Sequence, residues 1–461
     1  MVDALADALR AQIPAPLVVT DPDRLASYRH DMATFCPSGM PAVAVLARET
    51  AHVQHVLKVA SDLGVPVVPQ GGRTGLSGGA NAVDGCIVLS LAGMDRILEI
   101  DPANRVAVVE PGVLNAVLSK AAAEQGLFYP PDPSSWEIST VGGNIATNAG
   151  GLCCVKYGVT ADFVRALEVV LANGEILHTG RRTAKGVAGY DLTRLFVGSE
   201  GTLGVITRAT LALRPAAEEP RTVAALFPSV AAAGEAVARV VASGLVPSLL
   251  EFMDQASLRA ANEYRRMGLP DHAAAMLIAQ SDAGPERAAA EIATIARHFA
   301  DAGGFDVIEA EDAQEGELLL NARREAHYAI DRLGSRLIDD VCVPVSRLAD
   351  FVQRVEKVAA DLGLTIPVVG HAGDGNLHPN VVFDATDEDQ VRRARQAFDE
   401  IMRIGLALGG TITGEHGVGL LKRDWLEREL GHVGLRIHRE LKRVFDPAGI
   451  LNPGKVMSLE A

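Results

Sequence analysis

Glycine in this chain is gathered into two long loops, and those loops limit what the chain can fold into. The first, PVVPQGGRTGLSGGA (Pro66–Ala80), leaves an apolar strand and holds Gly71, Gly72, Gly75, Gly78 and Gly79. The second, PPDPSSWEISTVGGNIATNAGG (Pro130–Gly151), carries the pairs Gly142-Gly143 and Gly150-Gly151, with Ser139, Thr140, Asn144, Thr147 and Asn148 alongside. Glycine reaches positive φ and lets backbone N–H groups close on an anion. The first loop lacks G-x-G-x-x-G spacing and no GK[ST] follows it, so a Rossmann NAD site and a P-loop NTPase are both disfavoured. Alone, it reads equally as a turn between strands. Two such loops in one region point to a long, doubly anionic ligand such as a dinucleotide.

Composition narrows the ligand and its surroundings. The 461 residues imply two or three domains. Aromatics are 4%, so backbone and aliphatic groups must hold any large planar cofactor. With 43 Lys plus Arg against 58 Asp plus Glu, the net charge of −15 disfavours nucleic acid as a partner. Five cysteines (Cys36, Cys86, Cys153, Cys154, Cys342) form no C-x-x-C pair. A disulfide framework or a cysteine-held iron–sulfur site is disfavoured, and a reducing compartment, the cytoplasm, is expected. The N-terminus lacks the basic region of a secretory signal, and no apolar run approaches a transmembrane span. Peripheral membrane contact stays open.

Along the chain, PAVAVLAR reads as a strand and ETAHVQHVLKVASDLG as a helix whose apolar face is Val53, Val56, Leu57 and Ala60, with Gly64 as its cap. His52 and His55 on that helix read as ordinary residues. Asn115 to Gly126 reads as a helix. Residues 130 to 160 read as a loop too long for a plain connector. FVRALEVVLANGEILHTG reads as a hairpin turning at Asn173-Gly174. Leu213–Thr222, with two prolines and two acidic residues, reads as a linker. Beyond it strands and helices alternate, the pattern of a sheet covered on one face by helices. Leu420 to Gly449 reads as a charged helix before the closing loop Leu451–Lys455.

A second constellation is built from histidine. VVGHAGDGNLHPNVV sets His371 and His378 at the edges of a glycine-rich loop between strands, and TITGEHGVG sets Glu415 and His416 after another strand. Two imidazoles and a carboxylate suit a divalent ion with open positions. The H-x6-H spacing suits a polar hydrogen-bonded loop as well.

Together, PVVPQGGRTGLSGGA, the PPDP…STVGGNIATNAGG loop, GYDLTRLFVGSEGTLGVIT (Gly189–Thr207) and the C-terminal NPGK resemble FAD-linked oxidases of the vanillyl-alcohol-oxidase and p-cresol-methylhydroxylase (PCMH) type. Within that family the resemblance is to D-2-hydroxy-acid dehydrogenases: cytochrome-type D-lactate dehydrogenase, the FAD subunit of glycolate oxidase and D-2-hydroxyglutarate dehydrogenase. It implies an α+β fold, with a two-subdomain PCMH-type FAD-binding domain and an α+β substrate domain built on an antiparallel sheet. The expected boundaries are an N-terminal segment over 1–36, the FAD domain over 37–217, the substrate domain over 218–419 and a helical segment over 420–461 that returns to the FAD domain. The implied FAD contacts are Pro69, Gly71, Gly72, Arg73, Thr74, Gly75, Leu76 and Ser77 in the first loop. In the second they are Pro131, Asp132, Ser139, Thr140, Gly142, Gly143, Ala146, Thr147 and Asn148. Gly201, Gly204, Ile206 and Asn452 complete them. No His stands in Pro66–Ala80, where many relatives tether the flavin, so the FAD is expected to be non-covalent.

The subgroup carries H-x-G-D-G-N-x-H and G-E-H-G, both intact here. By that resemblance His371, His378 and Glu415 ligate zinc or manganese, and His416 is the catalytic base. Arg323 aligns with the carboxylate-binding Arg; its bland alternative is a solvent-facing helix Arg paired with Glu325 or Glu317. The implied reaction is oxidation of a small D-2-hydroxy acid, D-lactate in the first place, to the 2-oxo acid. D-2-hydroxyglutarate and glycolate are the alternatives, and a flavin-free metallohydrolase or a non-catalytic flavin subunit are remote ones. ARREAHYAI followed by DDVCVPVSRL looks like the D-lactate type, whereas STVGGNIATNAGG looks like the glycolate and hydroxyglutarate types. Where hydroxyglutarate enzymes place a Lys for the distal carboxylate, this chain has Ile338 and Asp339, with Arg336 upstream as a second candidate substrate contact. Without iron–sulfur ligands, electrons must pass to an outside acceptor: a cytochrome, a quinone, an electron-transfer flavoprotein, a partner subunit or oxygen. A homodimer stays open.

Overall fold

The computed structural model describes residues 2–33 and 35–458. The chain divides into two compact units. One is Met1–Gly150, Val159–Ala216 and Glu415–Ala461; the other is Gly151–Gly158 and Ala217–Gly414.

The first unit holds two main sheets. A four-stranded sheet runs in the order Val18–Val19, Val43–Leu46, Ile87–Ser90, Val67–Gln70. Ile87–Ser90 lies parallel to both neighbours. Parallel strands require a crossover, and Thr50–Leu63 provides it from Val43–Leu46 to Val67–Gln70, on the far side of Ile87–Ser90: its buried Val53, Val56, Leu57 and Ala60 pack on the sheet, and Gly64 ends it at φ +64°. The N-terminal helix Val2–Arg10 joins the same core through Leu5, Ala6 and Leu9. The second sheet is antiparallel, in the order Ile97–Asp101, Val106–Val109, Val205–Ala212, Val164–Val170, Ile176–Gly180. Its last pair is the hairpin at Asn173-Gly174.

The long loop expected over 130–160 contains two short helices, Val141–Thr147 and Cys154–Tyr157, and a third, Thr160–Phe163, starts at its end. Glycines at 142 and 143 conceal the first from a propensity reading. Local capping favours it: the Thr140 side chain accepts from Gly143 N, and Asn148 closes the helix in the left-handed region. Residues 151–158 group with the second unit.

The second unit is built on an antiparallel sheet. Its strand order is Phe305–Glu309, Arg221–Phe227, Ala275–Ser281, Leu249–Asp254, Val368–His371, Asn376–Phe383, Ser335–Ile338, with Val341–Cys342 also paired to Asn376–Phe383. Helices such as Val230–Ala242, Ala313–Asp331 and Glu388–Ala407 cover it, and side-chain caps at Ser229, Asp312 and Asp387 fix their starts. Leu249–Asp254 is buried along its whole length, so the carboxylate of Glu251 lies inside the unit.

Candidate functional site

In the first unit the two glycine loops meet. A Cβ on Gly71 would stand 2.2 Å from Thr140 Oγ1, and one on Gly72 would stand 2.6 Å from the Ile138 carbonyl. Glycine there is a requirement of close approach. The second loop is pinned from below, since Val141 N donates to Val113 O and Gly142 N to Pro111 O, both at 2.8 Å. Asn115 Nδ2 donates to Pro131 O at 2.9 Å and so ties down the start of the second loop. Gly198 N and Glu200 N donate to Ile145 O and Ala146 O, so the Gly198–Gly201 turn seats on the helix Val141–Thr147. Gly201 packs on Pro69. Gly204 packs tightly on Val169 and Phe196, a sheet-packing role, and Ile206 is buried in the same sheet.

Among the described residues, the seven backbone N–H groups of Gly71–Ser77 donate to no protein acceptor, although Ser77 is buried. Ser139 Oγ, Asn144 Nδ2 and Gln70 Oε1 are also buried without a protein partner. Buried polar groups in folded proteins are almost always bonded to something. A cradle of N–H donors beside unpartnered polar side chains therefore suits an anionic, hydrogen-bonding ligand. Gln70 and Asn144 escaped assignment from sequence.

The C-terminal segment braces this cradle. Asn452 Nδ2 donates to Gly79 O at 2.8 Å and Glu200 O at 2.7 Å, and Lys455 Nζ donates to Asn81 O. Glu200 accepts from Val418 N and Gly419 N. Burial is the main cause that pushes its carboxyl up to about 7. Ser77 Oγ donates to His416 O at 3.1 Å, so the first loop grips the backbone of the G-E-H-G segment. Glu415 and His416 lie side by side there, with 3.6 Å between His416 Nε2 and Glu415 Oε1.

The second unit assembles side chains. His371 and His378 come from the paired strands Val368–His371 and Asn376–Phe383. Their rings stand edge to face with centroids 5.2 Å apart, and each offers a ring nitrogen within 4.8 Å of the other's. His371 Nδ1 lies 2.7 Å from Glu251 Oε1. Arg323, on the helix Ala313–Asp331, is 3% exposed and ion-pairs through Nε with Glu251 Oε2 at 3.0 Å. The solvent-facing alternative for Arg323 fails, because Glu325 pairs with Arg265 and Glu317 with Arg324. Among the described residues, neither terminal nitrogen of Arg323 donates a hydrogen bond to the protein.

Asp340 is fully buried and accepts from Asn376 Nδ2, Thr413 Oγ1 and Gly414 N, with His378 Nδ1 at 3.7 Å. It thus anchors the residue that precedes Glu415. Arg336 is already engaged, with Asn380 Oδ1 at 2.9 Å and Asp331 at 2.8 Å. Burial pushes the Cys342 thiol up to about 12.

Comparison with known proteins agrees with both halves. A family model described as FAD binding domain matches residues 41–180, and one described as FAD linked oxidases, C-terminal domain, matches residues 216–456. The chain is 44% identical over 435 residues to the glycolate oxidase subunit GlcD of Bacillus subtilis (strain 168), covering 94% of this chain and 92% of that one. It is 37% identical over 442 residues to the D-lactate dehydrogenase of Anaerostipes hadrus, covering 93% and 92%. Among solved structures it is similar to p-cresol methylhydroxylase with substrate bound, at TM-score 0.80 and 19% identity, covering 100% of this chain and 97% of that one. That likeness shows a shared PCMH-type fold. No helix among the described residues is long and apolar enough to cross a membrane. On the family matches and the extent of these identities, the chain belongs to the FAD-linked oxidases.

Proposed function

We propose that the protein oxidises a small D-2-hydroxy acid to the 2-oxo acid, with non-covalent FAD in the glycine cradle and a divalent ion on His371, His378 and Glu415. One observation carries the substrate class: a buried Arg323 whose Nε faces Glu251 and whose two terminal nitrogens donate to no group among the described residues. A guanidinium fork so placed suits a ligand carboxylate. The relatives named for glycolate and D-lactate oxidation act on acids of this kind.

The residues present fit both absent groups. The N–H donors of Gly71–Ser77 and the unpartnered Ser139 and Asn144 suit a pyrophosphate and a polar cofactor edge. In the second unit Glu251, Asp339 and Asp340 are buried. There too His371 and His378 are buried, and each offers a ring nitrogen within 4.8 Å of the other's, a donor pair that suits a divalent ion. The chain supplies Glu415 directly after Gly414, which Asp340 holds by its N–H.

FAD held by the glycine cradle would supply the hydride acceptor for the C2–H bond, and a divalent ion held by His371, His378 and Glu415 would supply a Lewis acid that lowers the pKa of the substrate hydroxyl. The chain's residues do the rest. Arg323 takes the carboxylate and fixes which face of C2 is presented. His416 accepts the hydroxyl proton on an imidazole nitrogen. Arg336 is spent on Asn380 and Asp331, which favours a short substrate tail over a second carboxylate. Electrons then leave to an outside acceptor.

Glycolate and D-lactate differ by one methyl, a difference worth about 1–3 kcal/mol in an apolar pocket. Anaerobic flavin reduction across a panel of D- and L-2-hydroxy acids tests the reading. D-lactate or glycolate should bleach the flavin absorbance, L-lactate should not, and a chelator should stop the bleaching until zinc or manganese is restored. A protein that is colourless and cannot be reconstituted with FAD overturns it.

A further inference from the structure

We infer that Glu251 is a positioning residue that ties the metal-binding imidazole of His371 to the substrate-binding guanidinium of Arg323. The inference rests on the metal-assisted reading above and deepens it. Glu251 stands on Leu249–Asp254 directly across from His371 in antiparallel register. Cross-strand pairs in that register place both side chains on one face. Arg323 reaches the same carboxylate from the helix Ala313–Asp331.

Each oxygen of Glu251 has a separate task. Oε1 lies 2.7 Å from His371 Nδ1. With the carboxylate accepting there, the ring proton sits on Nδ1, and Nε2 carries the lone pair for a metal. Oε2 lies 3.0 Å from Arg323 Nε. The pair is Coulombic and not hydrogen-bonded; it draws the guanidinium to the carboxylate by Nε and leaves the terminal nitrogens to meet a substrate carboxylate. Glu251 is 1% exposed, and a carboxylate buried so deeply is stable only with partners of this kind.

The other buried carboxylate beside a histidine, Asp340, is built differently. It stands 3.7 Å from His378 Nδ1, and its oxygens are held by Asn376, Thr413 and Gly414. Asp340 holds the Gly414 backbone as well, whereas the two oxygens of Glu251 face His371 and Arg323.

The test uses the flavin-loaded full chain and the near-isosteric Glu251→Gln, with Glu251→Asp as a charge-preserving companion. Zinc affinity is read by chelator competition, and substrate affinity by the concentration that gives half-maximal anaerobic flavin reduction at saturating zinc. Glu251→Gln should weaken zinc about 10- to 100-fold, the usual effect of losing a group that orients a metal-bound histidine. It should also raise the half-saturating substrate concentration, with FAD content unchanged. A merely structural carboxylate would lower the melting temperature and leave both affinities within twofold of wild type, and that result overturns the inference. A wild-type protein with no stoichiometric zinc or manganese overturns the metal reading itself and the inference with it. Should both variants fail to fold, the wild-type nitrogen-15 resonances of His371 decide. A protonated Nδ1 supports the assignment, and a protonated Nε2 overturns it.

Discussion

The two units meet negative charge in opposite ways. The first gathers backbone N–H groups in Gly71–Ser77 and needs the absence of side chains at Gly71 and Gly72. The second gathers side chains and needs buried counter-charges, Glu251 under Arg323 and His371, Asp340 near His378. A backbone-built site tolerates many residue changes but no Cβ at the contact points. A site built from side chains tolerates changes around it but not within its chain of partners. The two sites should therefore fail independently, and each experiment below attacks one and reads the other.

The largest effect is expected at His416. His416→Ala should slow flavin reduction by substrate about 10²- to 10⁴-fold, the usual contribution of a positioned base. FAD content is a sound control, because Ser77 grips the His416 carbonyl and the substitution leaves that bond in place. Stopped-flow reduction and the flavin-to-protein ratio check both halves. Retained reduction removes the base assignment.

Next come the glycines. A Cβ on Gly72 would meet the Ile138 carbonyl at 2.6 Å and Ser139 Cα at 3.4 Å, both backbone atoms of the second loop. A Cβ on Gly71 would meet Thr140 Oγ1 at 2.2 Å, a side chain able to rotate at the loss of its bond to Gly143 N. Gly72→Ala should thus weaken FAD more than Gly71→Ala, whose added cost is about that of a lost N-cap, ~1 kcal/mol or some fivefold. Flavin fluorescence titration gives the order, and metal analysis should find zinc unchanged in both. Parallel loss of FAD and zinc breaks the independence of the two sites.

Much of this was legible in the sequence, for physical reasons that also mark the limit. Glycine pairs and the His371, His378, Glu415, His416 spacing are local in the chain, and local features survive without coordinates. Register is not local. Glu251 lies 120 positions from His371 and reads as one polar residue in an apolar strand, yet they stand opposite each other across two strands. Arg323 is singled out by resemblance alone, and its burial follows from which helix face the sheet covers. The helix Val141–Thr147 was hidden by its own glycines, since cap and tertiary contacts outweigh propensity there. Glu200 and Asn144 stood inside recognisable motifs, but single polar residues there carry no sign of which one is buried.

The smallest expected effect concerns Glu200, the carboxylate beneath the backbone-built site. Its oxygens accept from Val418 N at 2.7 Å and Gly419 N at 2.9 Å, while Lys422 and Asp31 supply the charges it feels. Burial, the first cause, lifts it from 4.5 to about 7. A carboxyl whose folded pKa lies above its unfolded value binds its proton more tightly when folded. Its contribution is therefore most favourable below about 4.5 and declines as pH rises to about 7, beyond which it is flat. Asp31 is raised by burial too and slopes the same way. Lys455, lowered to about 8, acts in the other direction and only above that pH. Glu200→Gln removes one slope and leaves the Asp31 slope, so the difference between the two melting curves isolates Glu200. Flavin-release melts from pH 5 to 7 should fall less steeply in Glu200→Gln, by a few degrees at ~2–4 °C per kcal/mol. Zinc affinity should not move across the series relative to wild type at each pH. An unchanged slope means that Glu200 already keeps its charge in the folded chain, held by Val418, Gly419 and Lys422 strongly enough to offset burial.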